Sequence, residues 1–325
     1  MPYQLASSQL TALRSLHAQS GFCRRLSADM MVRFELTRPQ TGTRSLLLEP
    51  SRILHPRFDP SVAGQGGHST GKGMWVTCWS EAVETLARKG SYKRLHSSAS
   101  MSDPALVCAK VHSQLARRVV QEAELLAERV KSWPNGSKGG PISTWGDVPL
   151  RVLPHESDIA NLEREKERRI VAILDLSPST PAADPESPAK EPAADLDGFS
   201  SGIPPAPPPP PIYRLSSFFQ SAVLPPESLA SFRPSPSDPT SSVEQQLLTA
   251  TRAPLEGMLA LLARRFERED PSRATSGPPS EGSDVFVLVA PRDPRTEAER
   301  TRARVVVPLA VALWRLKLWT GEGWR

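Results

Sequence analysis

The sequence predicts an α+β or α/β N-terminal module at residues 29–176, a disordered proline-rich linker at 177–211, and a mainly helical C-terminal part with one strand at 212–325. Three observations carry this reading. Before residue 176, short apolar runs alternate with amphipathic stretches, the pattern of strands and helices sharing a core. Twelve of the 34 prolines then fall within residues 177–211, with five acidic residues and few large apolar side chains. Burial there cannot offset the conformational entropy lost on ordering. Beyond residue 211 the apolar spacing is mostly helical.

Residues 30–37 (MMVRFELT) and 44–49 (RSLLLE) flank a Pro/Gly-containing turn at 38–42, which predicts a hairpin. Residues 74–79 (MWVTCW) form a third strand candidate. A helix follows: Ser80 caps it, Glu81 and Glu84 suit its start, Arg88 and Lys89 suit its end, and Gly90 stops it. Ser102-Asp103-Pro104 opens a longer helix with an apolar line through Cys108, Val111, Leu115, Val119, Leu126, Val130 and Trp133. Its outer face is expected to be solvated by Arg117, Arg118, Glu122, Glu124, Glu128 and Arg129. Ser157 caps a charged helix over 158–169, which runs into a buried strand at 170–176. The C-terminal part predicts a short helix near 227–232, a helix over 243–268 interrupted at Pro254, a strand at 284–290, and a last helix from Thr296 toward Trp319, kinked at Pro308. Leu313, Trp314, Leu316, Leu318 and Trp319 are too apolar to stay in water. They dock on the N-terminal module or on a protein partner.

The first 28 residues hold no carboxylate, and Arg24-Arg25-Leu26 precedes a small Ser27. An acid-poor, Arg-bearing, Ser-rich stretch with an amphipathic helix over 5–19 has the composition of a mitochondrial transit peptide. The expected address is therefore the mitochondrial matrix, with the cytoplasm as the alternative. The net charge of +5 is uneven: residues 1–100 carry 13 Lys/Arg against 6 Asp/Glu, a net of +7. A basic N-terminal third suits an anionic partner. Three cysteines without a C-x-x-C spell neither a disulfide framework nor a zinc ribbon. No run of about eighteen apolar residues exists, so an integral membrane protein is not expected.

Three motifs bear on function. Gly66-Gly67-His68-Ser69-Thr70-Gly71-Lys72-Gly73 has the G-x-x-x-x-G-K spacing of a phosphate-binding loop. Gly73 stands where such a loop needs a magnesium-binding hydroxyl, and the next helix starts too late. The expectation is a surface loop whose bare amides, with Gly67, His68 and Lys72, grip a phosphate. The densest basic stretch is 88–96, where Arg88, Lys89, Lys93 and Arg94 neutralise phosphates and Tyr92 stacks on an unpaired base. A helix C-terminus that favours cations accounts for part of the same pattern. Pro210, Pro211 and Tyr213 satisfy PP-x-Y, a WW or SH3 ligand that polyproline II would present in the cytosol.

Cys108 and His112 lie four apart on a helix, but two ligands make no metal site. Neither H-E-x-x-H nor G-x-S-x-G occurs. Neither a cofactor nor catalysis is expected. The favoured function is a non-catalytic matrix protein binding RNA, DNA or a ribonucleoprotein, in support of organellar gene expression, genome maintenance or respiratory-complex biogenesis. A cytosolic proline-rich scaffold and a degenerate nucleotide-binding protein are the alternatives.

Overall fold

The computed structural model describes residues 27–38, 45–58, 68–133, 147–153, 168–178, 210–220, 222, 242–269 and 284–322. The expected leader, the turn at 39–42, residues 158–167 of the expected charged helix, most of the proline-rich stretch and the helix near 227–232 lie outside the described residues, and Arg168 and Arg169, expected to end that charged helix, are strand instead. What is described is an α+β arrangement of two mixed four-stranded sheets with helices.

The first sheet has strand order β3-β1-β2-β4. It consists of β1 (Met31–Arg38), β2 (Leu46–Ser51), β3 (His68–Thr77) and the two-residue β4 (Ala99–Ser100). Both neighbours of β1 run antiparallel to it, while β4 lies parallel to β2. Alternation sends Val32, Phe34, Leu36, Leu48 and Val76 into the core. The other face places Glu35 directly opposite Glu49, a like-charge pair that costs stability by itself. Arg33 at 2.5 Å and Arg52 at 3.4 Å neutralise Glu35, and Lys110 at 3.1 Å neutralises Glu49.

Helix α1 (Ser80–Lys89) follows β3, with Trp79 rather than Ser80 at the N-cap and no side-chain cap bond there. Gly90 ends it in the left-handed region (φ 61°) and returns its N–H to Leu86 and Ala87. Helix α2 (Pro104–Lys131) starts as its sequence foretells, with Asp103 accepting from the Ala105 N–H and proline in the first turn.

The second sheet has order β5-β8-β6-β7, built from β5 (Leu150–Leu153), β6 (Arg168–Asp175), β7 (Ile212–Arg214) and β8 (Val285–Pro291). Strands from both sides of the proline-rich stretch therefore share one sheet. Helices α3 (Leu215–Gln220), α4 (Val243–Glu269) and α5 (Glu297–Trp319) complete the fold. Helix α2 packs on β2, α5 packs on β8 and β6, and the two helices pack on each other. A continuous apolar core runs from Val32 in the first sheet through both helices to Phe286 and Leu288 in the second.

Three expectations give way here. Pro254 sits inside α4 without interrupting it, and Pro308, where a kink is expected, sits inside a continuous α5. Each costs its helix about 3 kcal/mol, but Leu255, Met258 and Leu259 after the first, and Val306 and Leu309 around the second, are buried and hold the chain in place. Second, the C-terminal region holds two strands, because the three residues of β7 are too few to show a period. Third, the outer face of α2 is not wholly solvated. Glu122 is 1% exposed, with Arg118 at 2.6 Å and Arg129 at 3.7 Å. Burial lowers the pKa of Arg117 and Arg118, and the Glu122 carboxylate opposes this at Arg118.

Glu122→Ala should leave two half-buried guanidinium groups without their carboxylate. The expected loss is about 3 kcal/mol, read as a lower urea midpoint at unchanged m-value. A midpoint equal to wild type would mean the pair contributes nothing to stability.

Candidate nucleic-acid interface

The basic stretch folds as one ridge. Arg88 and Lys89 occupy the last turn of α1, Gly90 reverses the chain, and Ser91–Arg94 form a 3-10 turn closed by the Leu95 N–H on Tyr92. Arg88, Lys89, Lys93 and Arg94 are all exposed. None forms a salt bridge with another described residue. Tyr92 is different: its ring is half-buried against the core. It anchors the turn that carries the cations and lines the groove beside Arg88.

Two open grooves flank the ridge. The wider, about 610 Å³, is lined by Arg88 and Tyr92 but also by Glu84 and Asp103. Those carboxylates repel phosphate. The narrower, about 260 Å³, runs between α1 and the edge strand β3 and is lined by Trp75, Thr77, Lys89 and Ser91 without an acidic residue. The Trp75 indole is 45% exposed. The residue pairs across the sheet with Arg33, whose guanidinium lies 5.7 Å from the ring centroid, within cation–π range. Sequence reasoning missed Trp75 and Arg33. The signal was present in MWVTCW: strand alternation puts Trp75 on the face opposite Met74 and Val76, both of which belong to the core.

The phosphate-loop residues fall elsewhere in kind. Residues 68–73 belong to strand β3 and pair with β1 at Arg38↔His68, Thr37↔Ser69 and Glu35↔Gly73, with a register shift that leaves residues 70–72 as a bulge in which Gly71 takes φ 73°. Gly73 is required by that pairing, since a Cβ there would collide with the Phe34 carbonyl. The glycine spacing thus serves a bulged edge strand, with no helix directly after Lys72 as a phosphate-binding loop has. Lys72 is exposed on β3, His68 begins that strand, and Gly67 lies outside the described residues.

The WW-ligand reading meets a similar obstacle. Pro210 is half-buried and Pro211 is exposed, but Tyr213 is 3% exposed in β7, opposite Leu174. Its ring joins the core, with the Lys317 ammonium 5.8 Å from its centroid. Burial holds its phenol well above the usual range. A WW groove cannot reach this ring without opening the sheet. The pair proposed for a protein partner is likewise used within the chain: Trp319 is 2% exposed and Trp314 packs against the same core. Of the two destinations the sequence offered for that apolar helix, it takes the intramolecular one.

The remaining reactive groups are occupied structurally. Cys108 donates to the Ser80 carbonyl at 3.7 Å, while His112 meets the Phe218 carbonyl at 2.8 Å and so ties α2 to α3. Burial pushes both the Cys78 and Cys108 thiols up to about 11, far from the thiolate form. Burial also lowers the His112 pKa below its ordinary 6.5, although the carbonyl opposes this.

Because the folded pKa of His112 is depressed, its contribution to stability is complete above 6.5 and is lost as pH falls through the lowered folded value. Thermal midpoints should therefore drop on the acid side of 6.5, and His112→Asn should flatten that limb. An identical acid limb in the variant would exclude His112 as a source of the dependence. No family model, curated protein or solved structure matches this chain.

Proposed function

We propose that this protein is a non-catalytic accessory factor of the mitochondrial matrix that binds RNA, DNA or a ribonucleoprotein through Arg88, Lys89, Lys93 and Arg94, in support of organellar gene expression, genome maintenance or respiratory-complex biogenesis. One observation carries the reading: four exposed cations stand on consecutive turns, unneutralised by any described carboxylate. The dipole of α1 accounts for Arg88 and Lys89 at its C-terminus, an effect of roughly 0.3–1 kcal/mol. It does not account for Lys93 and Arg94, which lie beyond the helix. Cations held together against their own repulsion suit a polyanion, whose displaced counterions supply the binding free energy. The matrix address rests on the carboxylate-free, arginine-bearing first 28 residues. The burial of Tyr213 and the strand conformation of residues 68–73 weigh against the scaffold and nucleotide-binding alternatives.

Lys93→Glu/Arg94→Glu should weaken retention on RNA or DNA about tenfold or more and reduce the salt slope by about 1 to 2. Fluorescence anisotropy across a salt series measures both, and unchanged binding would remove the nucleic-acid role. A fluorescent protein carrying residues 1–40 should enter mitochondria. A diffuse cytosolic signal would overturn the address while leaving the binding test standing.

A further inference from the structure

Resting on the nucleic-acid reading, we infer that the Trp75 indole is a stacking platform for an unpaired nucleobase, so that the ligand is single-stranded rather than duplex. A duplex offers phosphates to a basic ridge but keeps its bases stacked on one another, whereas a single strand also offers free π-faces. The ridge by itself serves either. Trp75 decides between them: it is the most solvent-accessible aromatic ring among the described residues, it projects from an edge strand, and it shares a groove with Lys89 and Ser91.

Large exposed aromatics also anchor protein interfaces, but there they sit within an apolar centre depleted of charge. Around Trp75 the surroundings are cationic. Arg33 lies over the ring and Lys89 lines the groove. Arg33 and Arg52 both pair with the one carboxylate of Glu35. Met74, Val76, Ala82 and Leu86 line the same groove but are half-buried or buried, so the indole is its one exposed apolar side chain. A base on the indole would place its 5′ and 3′ phosphates within this field, next to Lys89 and the following turn. The arginine contact also restricts the ring before binding, which lowers the ordering cost.

The test uses the full chain with fluorescein-labelled oligo(U), oligo(dT) and a duplex of equal length. Wild type should prefer both single strands over the duplex. Trp75→Ala should lose about tenfold of single-strand affinity while leaving duplex affinity and the salt slope in place, and Trp75→Phe, which retains a ring, should recover most of it. The inference is overturned if wild type prefers the duplex, if Trp75→Ala binds single strands as wild type does, or if it loses single strand and duplex alike. Preference for oligo(U) over oligo(dT), or the reverse, assigns the unpaired ligand to RNA or DNA. Lys93→Glu/Arg94→Glu is run beside it: no effect on any probe would remove the nucleic-acid reading itself. An effect there, with none from Trp75→Ala, would remove only the stacking platform.

Discussion

Helix α2 is enclosed on every side for one turn near its middle. Val119, Val120, Gln121, Glu122 and Ala123 are five consecutive buried residues, and at about 100° each they cover the full circumference of the helix. The rest of the fold follows from filling that circle. The first sheet lies on one side through β2, α1 packs beside it, and α4 and α5 close the others. Polar groups carried inward on such a turn need partners. Gln121 accepts from the His55 N–H at 3.1 Å, Glu122 takes Arg118 and Arg129, and His112 takes the Phe218 carbonyl. Each of these polar contacts also fixes a register: the loop after β2, the turns of α2 itself, and α3.

The same enclosure explains why the two sheets share one core. Helix α5 presents Val305, Leu309, Leu316 and Trp319 inward, and its far end reaches back to the start of β1, where Arg315 donates to the Met31 carbonyl at 2.9 Å and the Cys78 thiol donates to the Arg315 carbonyl at 3.4 Å. The start of β1 and the last turns of α5 are thereby tied together beside the end of β3. That matters for the surface beyond it. Edge strand β3 and helix α1 are held from behind by apolar contacts, so Trp75 and the cations of the following turn sit on a firm backing.

Much of the local architecture was legible. Gly90, Asp103-Pro104 and Thr296 with Glu299 are helix stops and starts whose chemistry acts within one turn, and the helices begin or end where those residues stand. The strands at β1, β6 and β8 likewise announced themselves as apolar runs. The basic ridge was visible as composition. The closeness of Trp75 to Lys89, fourteen residues on, was not, because the fold rather than the chain brings the two to one groove.

What the sequence by itself determined, then, is the helix ends set by Gly90, Asp103-Pro104 and Thr296, the strands β1, β6 and β8, and the concentration of positive charge, all of which depend on neighbours within about four residues. Tertiary structure alone decided which polar residues are buried, which strands pair across residues 177–211, and which side of β3 meets water. It also decided that a glycine-rich phosphate-loop spacing is strand and that the tyrosine of a PP-x-Y motif is core. The physical reason is the same in each case. Burial is set by groups far apart in the chain that meet only when the fold closes, and no local pattern records them.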